Sequence, residues 1–103
     1  MVVLAMKHYF FRLNSPRPTF PGDMTPEEAV LMGLHSEYWR GLMAQGKVVV
    51  LGPVADPKGF FGIGVLALDD NDDAKALVEN DPVAKAGAGF STEVYPMPGI
   101  MRP

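Results

Sequence analysis

The chain has 103 residues, 48% of them hydrophobic and 20% charged, enough apolar material for one core and too much for intrinsic disorder. Nine Lys and Arg against twelve Asp and Glu give a net charge of −3, and the basic residues form no cluster, so no nucleic-acid partner is expected. The absence of cysteine removes disulfides, thiolate metal sites and a cysteine nucleophile together. The opening run Met1 to Met6 is too short for a secretory apolar core, and no apolar run approaches the ~20 residues of a membrane helix. A cytoplasmic protein with no membrane partner is the expectation, folded as one domain over 1–103.

Leu4 to Leu13 reads as a strand, with Met6, His8 and Phe10 on one face and Tyr9 and Phe11 on the other. A proline-rich loop follows over 14–24, where Pro16, Pro18 and Pro21 rule out a helix. A loop of this length inside a small domain is uncommon and is often functional. Thr25-Pro26-Glu27-Glu28 is a helix start: Thr25 caps, Pro26 suits the first helical position and Glu28 completes a capping box. Leu31, Leu34, His35, Tyr38, Trp39 and Leu42 recur at helical spacing and predict one buried stripe on a helix over 26–45. Gly46 is the left-handed stop.

Lys47 to Leu51 predicts a strand closed by Gly52-Pro53, and Phe60 to Leu68 predicts its hairpin partner after an Asp56-Pro57 turn. The acidic stretch Asp69 to Asp73 leads into a second, shorter helix ending near Asn80. Asp81-Pro82 opens a turn with one short helical piece through Ala86, Phe90 to Tyr95 is the last strand, and 97–103 is a tail. The order is β-α-β-β-α-β, the ferredoxin-like α+β unit: a four-stranded antiparallel sheet with two helices on one face. Phe61, Ile63 and Val65 then make the other face of the sheet apolar. A monomer rarely exposes such a patch, so a second copy is the expected partner, in a homodimer.

Candidate chemistry centres on His35. One reading is a core histidine satisfied by a single hydrogen bond; the other is a general acid or base whose tautomer a carboxylate fixes. Asp56, in the turn after Gly52-Pro53, is the carboxylate considered for that task, and a plain turn aspartate is its other reading. Gly62 and Gly64 point to the same face of their strand and mark either a close approach or floor space for a flat ligand. Arg12 and Arg17 flank the proline-rich loop, where a guanidinium suits a planar anion, unless both are solvated. Trp39 neighbours the His35 stripe and is either a packing residue or a ligand platform. No phosphate-loop or dinucleotide fingerprint is present, and His8 and His35 lie too far apart for a metal argument, so no cofactor or metal is expected.

The ordered set of His35-Ser36-Glu37-Tyr38-Trp39, Gly46, Gly52-Pro53-Val54-Ala55-Asp56, Phe61-Gly62-Ile63-Gly64 and Asp81-Pro82 through Ala86-Gly87 resembles the YCII-related (YciI-like) family across about 5–97. The resemblance implies a dimeric ferredoxin-like α+β barrel whose cleft holds a histidine and an aspartate, carried here by His35 and Asp56. One class within that family is linked to removal of chloride from a chlorinated hydroxyquinol, and related dimeric barrels act on aromatic or lactone metabolites. The resemblance thus implies cofactor-independent acid/base chemistry of a lyase or isomerase type, an elimination or isomerisation, on a small cyclic or aromatic metabolite. A non-catalytic ligand-binding or accessory protein with the same cleft is the alternative.

Overall fold

Local signals in the chain become elements in the order β1 (Lys7–Asn14), α1 (Pro26–Ala44), β2 (Val48–Val54), β3 (Phe61–Leu68), α2 (Ala74–Glu79), α3 (Pro82–Lys85) and β4 (Ser91–Met97). They are taken from a computed structural model that describes residues 6–103; Leu4, the expected start of the first strand, lies outside those residues. The four strands form one antiparallel sheet in the order β2-β3-β1-β4. This is the expected α+β arrangement, with the short helical piece at Pro82 present as α3.

The start of α1 is held as its sequence predicts. Thr25 Oγ1 accepts from the Glu28 amide at 3.1 Å, and Glu28 Oε1 accepts from the Thr25 amide at 2.9 Å. Gly46, at φ +77°, turns the chain out of the helix. One correction concerns the stripe: Leu34 is 44% exposed, because it lies about 100° around the helix from His35, off the face that meets the sheet.

Residues opposite each other in the ladder share a face. Phe11 pairs with Gly64 and Leu13 with Gly62, and these point toward the helices. Phe11 stacks on Trp39 with ring centroids 4.5 Å apart, in a core completed by Leu42, Val48, Leu66, Leu68, Ala74 and Val78. A Cβ at Gly64 would stand 2.2 Å from Phe11 Cε1, so this glycine is the space that lets the aromatic pile lie flat against the sheet. A second cluster of Leu13, Phe20, Val83 and Phe90, with Met24, Leu31 and Met32 against it, anchors the proline-rich loop.

The opposite face carries Phe10, Val65 and Tyr95 in register, with Val50 beside Val65 and Arg12 between Ile63 and Glu93. Tyr95 is 51% exposed and Val50 49%. Two strand ends also differ from expectation. β2 runs on through Gly52-Pro53 to Val54, and β4 runs through Pro96 to Met97. Both are edge strands, where a proline costs the sheet no hydrogen bond if its nitrogen faces outward.

Candidate active site

α1 sets His35 at the edge of a cavity of about 390 Å3 between the helix, the sheet and the proline-rich loop. Its walls are apolar side chains, among them Phe20, Met24, Met32, Phe60 and Phe90, with His35, Ser36 and Ser15 as the polar members. The loop wall is fixed from outside. Arg17 Nη1 and Nη2 each donate to one oxygen of Glu28 at 2.7 Å, while Nε donates to Asp23 Oδ2 at 2.9 Å. Arg17 holds the carboxyls of both Glu28 and Asp23 down to about 2, and Thr19 Oγ1, donating to Asp23, adds to the second. The loop's arginine therefore fastens the loop to the first turn of the helix that bears His35.

Behind His35 lies Asp81, 2% exposed. Its Oδ2 is 2.5 Å from His35 Nδ1 and accepts from Trp39 Nε1 at 2.6 Å, while Oδ1 accepts from the Val83 amide at 3.0 Å. Burial alone pushes the Asp81 carboxyl up, but the hydrogen bonds from His35, Trp39 and the Val83 amide outweigh it, and the net shift is downward. An ionised carboxylate only accepts, so His35 Nδ1 carries the proton. In the neutral ring this leaves the Nε2 lone pair, which has no hydrogen-bond partner among the described residues and is not sealed from solvent. The arrangement is a histidine that lines an apolar cavity, with its tautomer fixed from behind and its other ring nitrogen left out of the pair.

The sequence candidates divide. His35 is at the cavity, but the carboxylate that holds it is Asp81 and not Asp56. β2 continues three residues past Leu51 to Val54, so the turn starts at Ala55 and Asp56 sits beyond the end of an extended edge strand. There Asp56 accepts from the Lys58 amide at 2.9 Å and borders a separate hollow beyond the loop. Trp39 is wholly buried and does not line the cavity; its indole N–H serves Asp81. Gly62 lines the cavity, whereas Gly64 is filled by Phe11. Arg12 is on the far face of the sheet, its guanidinium 3.7 Å from the Phe61 ring centroid.

In the sequence Asp81 reads as a turn residue before Pro82. The local signal is the helix start itself: Asp81 caps Pro82-Val83, and the structure buries both Asp81 and Val83. A larger hollow of about 560 Å3 lies between α2 and β4, beside Asp72, Lys75 and Glu79; it is more open and has no histidine. Among the described residues no group of three or more His, Asp or Glu side chains is placed to hold a metal ion, and no helix is long and apolar enough to cross a membrane.

A comparison with curated proteins finds no match. The model of the YCII-related domain matches residues 8–98, a span that includes every strand from His8 onward, all three helices, the His35–Asp81 pair and the cavity. The chain belongs to the YCII-related family.

Proposed function

We propose that this protein is a cofactor-independent enzyme of lyase or isomerase type that acts on a small, largely apolar cyclic metabolite. His35 Nε2 takes a proton from the substrate, and Asp81 holds the Nδ1–H and stabilises the imidazolium that forms. The observation that carries this reading is the His35 Nδ1–Asp81 contact at 2.5 Å, which leaves Nε2 as the one basic atom at the cavity. Trp39 is a positioning residue, since it acts only through Asp81. A cytoplasmic homodimer joined through the open sheet face is the assembly we propose for it, on the strength of Phe10, Ile63, Val65 and Tyr95 on that face.

The test is exchange of the carbon-bound hydrogens of a cyclic ketone such as cyclohexanone into deuterated water. The wild-type protein accelerates exchange, and His35→Asn lowers the rate by about 10²–10⁴-fold, the usual worth of a general base. Equal rates for the two proteins across a panel of ketones, lactones and phenols would overturn the catalytic reading. The second reading, a binding or accessory protein, is favoured by the fact that His35 is the only titratable group among the cavity's lining residues. It predicts saturable binding of such compounds without exchange.

A further inference from the structure

The cavity's charge inventory narrows what fits in it. No Lys, Arg, Asp or Glu is among its lining residues. The two arginines nearest in sequence to its loop wall do not line it: Arg17 is paired with Glu28 and Asp23, and Arg12 lies over the Phe61 ring with its Nε on Asn14 and 3.8 Å from Glu93. The charge that adjoins the cavity through His35 is the Asp81 carboxylate, which is negative. A carboxylate or phosphate entering here would lose its hydration with no permanent counter-ion to receive it, since the one ionisable lining residue, His35, is the group that starts neutral when it acts as a base.

The polar inventory is equally short. Ser15 Oγ already donates to the Phe60 carbonyl at 2.5 Å. That leaves His35 Nε2 and the hydroxyl of the next residue, Ser36, which lines the same cavity and makes no side-chain hydrogen bond among the described residues. We infer that the cavity takes an uncharged cyclic molecule bearing one hydroxyl or carbonyl oxygen, and that Ser36 is the residue that holds that oxygen. This deepens the reading above and rests on the same cavity being the working site.

For a carbonyl substrate the step balances as follows in atoms and electrons. The C–H bond next to the carbonyl breaks, and its proton forms an N–H bond at His35 Nε2. The C–H electron pair becomes the enolate double bond, and the carbonyl π pair moves to oxygen. Ser36 O–H donates to that oxygen as its charge grows; the proton then returns from Nε2 to the same carbon, which is exchange, or, in a ring with a β,γ double bond, to the γ carbon of the dienolate, as the oxygen pair re-forms the carbonyl and the isomer results.

The experiment is an NMR titration of the full chain at about pH 8, where a benzoate is ionised and a phenol is not. The probes are 4-methylphenol, 4-methylbenzoate and toluene, alike in their ring and methyl group. Expected results are shifts at cavity residues with 4-methylphenol, and affinity for 4-methylbenzoate lower by about tenfold or more. Ser36→Ala weakens 4-methylphenol about three- to tenfold, the worth of one hydrogen bond, and leaves toluene unchanged. Benzoate binding as tightly as the phenol would overturn the charge argument. Equal losses for phenol and toluene in Ser36→Ala, or no binding of any probe, would overturn the assignment of Ser36. These readouts involve no turnover: a protein that binds the phenol through Ser36 but exchanges no ketone hydrogens retains this inference and loses only the acid/base reading.

Discussion

Trp39 follows His35 by one turn of α1, and the ring nitrogens of both meet the same oxygen of Asp81, at 2.6 and 2.5 Å. An indole N–H only donates, so it occupies that oxygen in one sense and keeps the carboxylate from turning. The other oxygen is occupied by the first turn of α3. Three donors from two helices therefore converge on one side chain, and His35 is oriented by a group that is itself held at both oxygens.

Replacing Asp81 by Asn tests this directly. The amide offers one accepting oxygen where the carboxylate serves three donors, so one of His35, Trp39 and the Val83 amide goes unsatisfied. Urea unfolding is expected to show a loss of about 1–3 kcal/mol, and ketone exchange a fall of about 10²-fold or more. Asp56→Asn is the comparison, and its stability is expected to change by less than about 1 kcal/mol, with exchange unaltered. Equal effects of the two substitutions would remove the orienting role from Asp81.

Acid should loosen the loop in a defined window. Glu28 and Asp23 ordinarily titrate at 4.5 and 3.8, and Arg17 brings both to about 2 in the folded protein. The unfolded chain then binds protons that the folded one does not, so stability present above about pH 4.5 is lost as pH falls toward 2. Arg17→Leu is expected to flatten that part of the pH–stability curve measured by chemical unfolding. A curve of unchanged slope would mean that the pairs contribute nothing.

The two glycines of β3 are expected to respond differently to alanine. At Gly64 the new methyl would fall 2.2 Å from Phe11 Cε1 and 2.7 Å from Cζ, so the ring pile must shift, at a cost of about 1–3 kcal/mol. At Gly62 the nearest atom is Leu13 Cβ, at 3.6 Å, an ordinary contact, and the loss is expected to stay below about 1 kcal/mol. Gly62→Ala should act on ligand affinity instead, because Gly62 lines the cavity. Thermal unfolding and probe titration of both variants check the contrast.

Light scattering at micromolar concentration is expected to report a homodimer. Val65→Lys places a charge in the middle of the open sheet face, beside Phe10 and Val50, and is expected to yield a monomer with an unchanged far-ultraviolet spectrum. A wild-type monomer under the same conditions would refute the proposed assembly.

What could be read from the chain was what is decided locally. The capping box at Thr25, the stop at Gly46 and the alternation of Phe10 and Phe11 each depend on a few neighbouring residues, and each is found where expected. The His35–Asp81 contact spans 46 positions, and although Asp81-Pro82 opens a helical piece and Asp56-Pro57 a plain turn, that local difference does not tell which of them reaches His35. The choice between them was set by how far β2 ran. That in turn depended on β2 being an edge strand, where Pro53 is tolerated, and edge position is a property of the whole sheet. The role of Arg17 is hidden for a related reason: its partners Asp23 and Glu28 lie close in sequence, but only the folded-back loop brings both to one guanidinium.

Those edge prolines also restrict how copies of the chain can meet. The outermost strands, β2 and β4, carry Pro53 and Pro96, and a proline offers no N–H to an arriving strand. Neither rim of the sheet can recruit a foreign strand along its whole length, which blocks the side-by-side growth that open sheets invite. In the dimer proposed above, a contact on the flat surface between the rims would end after one partner instead of propagating.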